Sequence, residues 1–148
     1  MIKLGCLITN FIMQKNKIYY TDLIYKVNGA AIEVHKELGP GLLESVYHKC
    51  LKHELELEGI NCLTEMKIPI NYKGIQIDTE LRCDLFIENE LIVELKAVEK
   101  VLPIHEAQLM SYMKLLNVPI GLMLNFNCSN IYREGQKTYV NKLYRNLE

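Results

Sequence analysis

The sequence predicts a single α/β domain built on a mixed sheet, on three observations. Apolar residues recur at three- and four-residue steps from 23 to 55. They alternate with polar ones from 68 to 97, and a nearly all-apolar run stands at 120–126. The first pattern is helical, the second that of strands with one wet face, the third that of a buried strand. The chain has 148 residues, 49% hydrophobic and 24% charged, enough for one core without disulfide or metal staples. The 17 Lys+Arg against 18 Asp+Glu leave a net charge of -1. That excludes the strongly basic signature of a nucleic-acid coat protein, but not a small local basic groove.

The first helix is expected to be capped by Thr21 or Asp22 and to carry Leu23, Val27, Ala30, Ala31, Val34 and Leu38 on one stripe. Gly39-Pro40-Gly41 stops it. A second helix follows with Leu43, Val46, Tyr47, Cys50, Leu51 and Leu55, and Gly59 is its natural C-cap. Residues 63–72 read as a strand and Lys73-Gly74 as a turn. One long strand then places Ile75, Ile77, Thr79, Leu81, Cys83, Leu85 and Ile87 on one side. A turn centred on Asn89 leads to Leu91, Val93, Leu95 and Ala97 on the same side. Pro103 opens a helix with Ala107, Leu109, Met110, Met113, Leu115 and Leu116 on a broad apolar face. Ile120 to Phe126 is a buried strand, parallel or central, and the tail adds a further strand or hairpin.

Residues 1–21 are expected to be an N-terminal extension, disordered or upstream of a true start at Met13, and 22–148 a single domain. The segment Met1 to Met13 is apolar, but Thr9 and Asn10 interrupt it and no small-residue cleavage site follows. No window supplies the eighteen or so apolar residues of a membrane span. Five cysteines, at 6, 50, 62, 83 and 128, form no Cys-x-x-Cys pair. Zinc ribbons are therefore unsupported, and reduced thiols in a cytoplasm are expected.

If the hairpin turn is centred on Asn89, Asp84 lies opposite Glu94. Like charges facing each other across a ladder are destabilising, so the pair calls for a reason. A hard divalent cation is the simplest, since Mg2+ is held by one or two carboxylates with water and phosphate. Lys96, two residues beyond Glu94, projects from the same side and could steady a water nucleophile or charge developing on a phosphate. The same alternation also describes an ordinary solvent-facing strand. Gln108-x-x-x-Tyr112 shares one helical face and could hold a phosphate or orient a carboxylate, or be a surface glutamine beside a core tyrosine. Glu44, in the first turn of its helix, reads equally as a capping carboxylate. His105 shares the Gln108 face and could touch a phosphate or cap the helix, and His48 reads as an intrahelical partner of Glu44.

These patterns occur together with others. The run Gly39-Pro40-Gly41-Leu42-Leu43-Glu44-Ser45-Val46-Tyr47 resembles the signature of the GxxExxY proteins. So do Arg82-Cys83-Asp84-Leu85, Val93-Glu94-Leu95-Lys96-Ala97, His105-Glu106-Ala107-Gln108-Leu109 and Leu124-Asn125-Phe126. That family is placed in the PD-(D/E)xK nuclease-like superfamily, and the Gln-x-x-x-Tyr element resembles that of RecB-type nucleases. Cys83 stands where the superfamily name has proline.

The resemblance implies a restriction-endonuclease-like core, a central mixed sheet flanked by helices. It implies that Asp84 and Glu94 bind Mg2+ or Mn2+ beside Lys96, and that Glu44 is a further ligand or its orienter. Gln108 and Tyr112 would line the site, and the Leu95 carbonyl would add a ligand as in similar sites. The implied activity is hydrolysis of phosphodiester bonds in DNA or RNA, with a homodimer or a protein partner as a natural supplement. The alternative is a regulatory module that keeps the fold and binds nucleic acid or protein without cutting. At -1 overall, a pocket with three carboxylates is expected to be locally acidic, with balancing cations elsewhere, on the tail at Lys137, Lys142 and Arg145.

Overall fold

A computed structural model of the chain describes residues 15–148. The proposed start at Met13, the apolar segment before it and Cys6 lie outside the described residues. Helix α1 spans Lys17–Leu38 and α2 spans Glu44–Leu57. Strands follow at Cys62–Lys67 (β1), Ile70–Tyr72 (β2), Ile75–Ile77 (β3), Arg82–Ile87 (β4) and Leu91–Lys96 (β5). Helix α3, Pro103–Leu115, leads to β6, Ile120–Asn125. A π-helical turn at Ile131–Gly135, strand β7 at Gln136–Val140 and a short α4 at Lys142–Arg145 complete the chain.

The main sheet has the order β1-β4-β5-β6-β7, with β5 and β6 parallel and every other pair antiparallel. The expected mixed sheet flanked by helices is therefore present. One apolar cluster joins Val27, Ala31, Tyr47 and Leu51 of α1 and α2 to Leu85, Val93 and Leu122 of the sheet. A second joins Leu109, Tyr112 and Met113 of α3 to Ile92 and Met123 on the other face. The sheet is thus buried on both sides, and its central strands read as continuous apolar runs for that reason.

Several local expectations are corrected. Helix α1 begins a turn earlier than the Thr21–Asp22 cap, because the Asn16 side chain accepts from the Tyr19 amide at 2.9 Å. Thr21 instead bonds back to the Lys17 carbonyl from inside the helix. The strand expected at 63–72 breaks at Pro69, which has no amide to donate. The long strand expected from Ile75 divides as well. Its first part pairs with β2 as a separate two-stranded ribbon around the Lys73-Gly74 turn, where both residues have positive φ. On α3 the apolar face is narrower than expected: Leu109, Tyr112 and Met113 are buried, whereas Ala107 and Leu115 are exposed.

The β4–β5 hairpin pairs Leu85–Val93, Phe86–Ile92 and Ile87–Leu91, the register of a turn centred on Asn89. Glu88 and Asn89 adopt φ of 53° and 56° to make that turn. On the other flank, the β1–β4 ladder runs through Thr64–Leu85 and Met66–Cys83 but omits the Glu65–Asp84 pair between them. Glu65 has φ 50°, a left-handed conformation that a regular ladder does not accommodate. At this irregularity the expected alternation fails. Cys83 packs in the α3-side cluster, whereas Leu85 and Ile87 pack in the other. Interruptions of this kind re-aim side chains and gather beside functional sites.

The glycine-proline-glycine turn between α1 and α2 is pinned by Tyr47. Its hydroxyl donates to the Gly39 carbonyl at 2.6 Å and accepts from the Leu42 amide at 3.1 Å. Its ring is fully buried and stacks on Phe126 at 4.5 Å between centroids. Tyr47→Phe keeps the stack but strands both backbone groups. It is expected to cost about 1–3 kcal/mol in chemical denaturation, and an unchanged midpoint would show the turn holds itself.

Candidate functional site

The β4–β5 ladder ends at Leu85–Val93, and one step further two carboxylates take over its hydrogen bonds. The Asp84 amide donates to Glu94 Oε1 at 3.2 Å, and the Leu95 amide donates to Asp84 Oδ2 at 2.8 Å. The expected juxtaposition of Asp84 and Glu94 is therefore present. It is closer than an open solvent face requires, since each side chain bonds the other strand's backbone. Glu94 is only 4% exposed, in a strand whose other members are apolar except for Lys96 at its end.

That position is electrostatically costly for Glu94. Its carboxyl is pushed well above the ordinary carboxylate range, first by burial, then by the Asp84 charge. Lys96 opposes the rise. Two carboxyls this close share a proton more readily than they bear two charges. Glu44 is raised in the same way: burial first, countered by Lys96 and augmented by Asp84. Lys96 thus acts on both Glu44 and Glu94, and Glu44 is in the field of Asp84. Glu44 is the first residue of α2, in the first turn where the helix dipole favours its charge, and the N-cap residue Leu43 makes no side-chain capping bond.

From α3, Tyr112 is buried against this group. Burial raises its phenol, followed by the charges of Glu94 and Asp84, while a hydrogen bond with Gln108 acts the other way. The ring itself is core, and Gln108 is exposed. His105 is engaged differently: its Nδ1 accepts from the Leu102 amide at 3.1 Å, capping the first turn of α3. The structure thus brings together Asp84, Glu94, Lys96 and Glu44, sets Tyr112 with Gln108 behind them, and gives His105 a structural bond.

Two further residues hold the site. His48 Nε2 donates to the Asp84 carbonyl at 3.0 Å and lies 3.5 Å from Glu65 Oε1, tying α2 to the irregular stretch of β4. The expected pairing with Glu44 persists only as an electrostatic influence. Asn125, at the end of β6 beside Lys96, accepts from the Val98 and Asn127 amides and donates to the Val98 carbonyl. It fixes the exit of the chain from β5. Neither role has a local signal, since both partners are distant in sequence.

Among the described residues no three His, Cys, Asp or Glu side chains are grouped so that they could hold a metal ion, so Glu44 does not complete a ligand set with Asp84 and Glu94. The donor set is narrower: two adjacent carboxylates under like-charge strain, with a third in their field. It suits a hard dication whose remaining positions go to water and a phosphate.

An α/β sheet whose hairpin end gathers two carboxylates and a lysine defines the class of the domain. A family model described as the PD-(D/E)XK nuclease superfamily matches residues 21–138, and the chain belongs to that superfamily. No curated protein and no solved structure gives a significant match. Among the described residues no helix is long and apolar enough to cross a membrane, and Cys50, Cys62, Cys83 and Cys128 are free thiols.

Proposed function

We propose that this chain is a divalent-cation-dependent nuclease of the GxxExxY type that hydrolyses phosphodiester bonds in DNA or RNA. The observation that carries the reading is the Asp84–Glu94 pair closing the end of the hairpin, with Lys96 acting on Glu94 and Glu44 at once. Asp84 and Glu94 would hold Mg2+ or Mn2+, with Glu44 as an orienter. When bound, the cation supplies water activation and neutralises charge on the phosphate. Lys96 contributes a fixed positive charge at the same place, where charge builds on the phosphoryl oxygens. Tyr112 and Gln108 support the pair from α3, and the RecB-like reading of their spacing rests on that position.

The test is a panel of single- and double-stranded DNA and RNA incubated with the purified chain and Mg2+ or Mn2+. Cleavage is expected with at least one substrate, and it should vanish in an Asp84→Ala, Lys96→Ala protein. Binding without cleavage above that control would instead identify a module that kept the fold and lost the reaction. Calorimetry gives an independent reading: Mg2+ uptake should depend on Asp84 and Glu94.

A further inference from the structure

The carboxylate site opens on one side into a cleft of about 440 Å³ between α2 and β1, and Glu44, Asp84 and Glu65 form part of its wall. Helix α2, which begins at Glu44, also contributes Ser45, His48, Lys49 and Lys52 to the lining. These positions are spaced by three, one and three residues, so they form one stripe along the helix. The stripe is about 10 Å long at the helical rise. A nucleic-acid strand advances roughly 3.4 Å per nucleotide, so this length matches about three nucleotides.

The two lysines are unequally engaged. Lys52 has an exposed partner, Glu56, at 3.6 Å one turn on, a pair of little net worth in water. Among the described residues no carboxylate lies within ion-pair distance of Lys49. His48 is committed to the Asp84 carbonyl. Beyond Lys52 the helix turns acidic at Glu54 and Glu56, so the basic track ends at Lys52. Besides Lys96 of β5, cations beside the acidic pocket are thus supplied by α2. Of the tail residues expected to balance the charge elsewhere, Lys137 is paired with Glu106 at 2.8 Å.

We infer that this cleft receives the phosphodiester backbone of a nucleic-acid strand on one side of the scissile bond, with Lys49 and Lys52 as its phosphate contacts. The inference rests on the nuclease reading above and adds where the strand lies. An exposed lysine charge on a fixed helix supplies affinity without base preference, and its signature is salt dependence. A track of two lysines also accords with a chain of net charge -1, which needs the strand only briefly and locally.

The test uses the full chain with Lys49→Ala and Lys52→Ala, singly and together, and Lys114→Ala on α3 as a control. Cleavage kinetics are expected to show KM raised about tenfold in the double variant with kcat within about twofold. Affinity is read separately by fluorescence anisotropy of a labelled 15-nucleotide DNA or RNA strand. Asp84→Asn serves as the background there, since it removes one carboxylate that repels the strand. Each lysine lost should lower the slope of log affinity against log salt by about 0.7 to 1. If the wild type cleaves but KM and slope are unchanged by the lysine pair, the groove assignment is wrong and the nuclease reading stands. If the wild type neither cleaves nor binds any strand, the nuclease reading itself fails and the groove with it. Should the alanine protein melt early, Lys49→Gln with Lys52→Gln removes the same two charges and is expected to show the same rise in KM and the same loss of slope.

Discussion

Asp84→Asn is expected to lower cation-dependent cleavage by about 100-fold or more while leaving the fold intact. The prediction follows from the two separate duties of Asp84. Its Oδ2 accepts from the Leu95 amide and so completes the hairpin. Its negative charge raises Glu94 and Glu44, and is what a cation would neutralise. Asparagine keeps an oxygen for the amide and removes the charge. Asp84→Ala removes both, leaving the Leu95 amide without its acceptor at a cost of about 1–3 kcal/mol. Asparagine should therefore show lost turnover with a melting temperature at or above that of the wild type, since it also relieves the charge that raises Glu94, and alanine should melt below asparagine. Near-wild-type turnover in Asp84→Asn would remove this residue from the reaction.

The contrast between those two duties also shows what could be read from the sequence. Strict alternation around Asn89 locates the Asp84–Glu94 pair, because a hairpin register depends only on local numbering. The buried β6 and the Pro103 helix start are legible for the same local reason. Failures fall where other groups decide. Asn16 displaces Thr21 as a cap through its own side chain, one turn upstream of the first apolar repeat. Cys83 leaves the face of Leu85 because Glu65, on a strand well separated in the chain, breaks the neighbouring ladder. His48 and Asn125 are ordinary residues until the fold places Asp84 and Val98 beside them. Glu44 is ambiguous in sequence, since a first-turn carboxylate suits a cap and a site equally. The structure keeps it in the first turn of α2 and sets it in the field of Lys96 and Asp84 as well.

Glu94→Gln is expected to stabilise the cation-free protein at alkaline pH while ending its activity. In the folded protein the Glu94 carboxyl titrates above its ordinary 4.5, by burial and by Asp84. The unfolded chain therefore releases this proton first. The stability contributed by protonated Glu94 is fully present below about 4.5 and is lost as pH rises through the higher folded value. Glutamine mimics the protonated carboxyl: its oxygen accepts from the Asp84 amide, and its NH2 can donate to the Asp84 carboxylate. In EDTA at pH 8 the variant should gain on the order of 2 kcal/mol. For a chain of this size that is a melting temperature about 5 °C higher. The gain should shrink toward pH 4.5, where the wild type carries the proton itself. Mg2+ should restore the wild type at pH 8 by neutralising the same charge, and should do little for the variant. Melting curves at the two pH values, with EDTA and with Mg2+, decide between these outcomes. Parallel pH profiles for both proteins in EDTA would mean that Glu94 carries no strain, and the strained pair would then cease to argue for a cation.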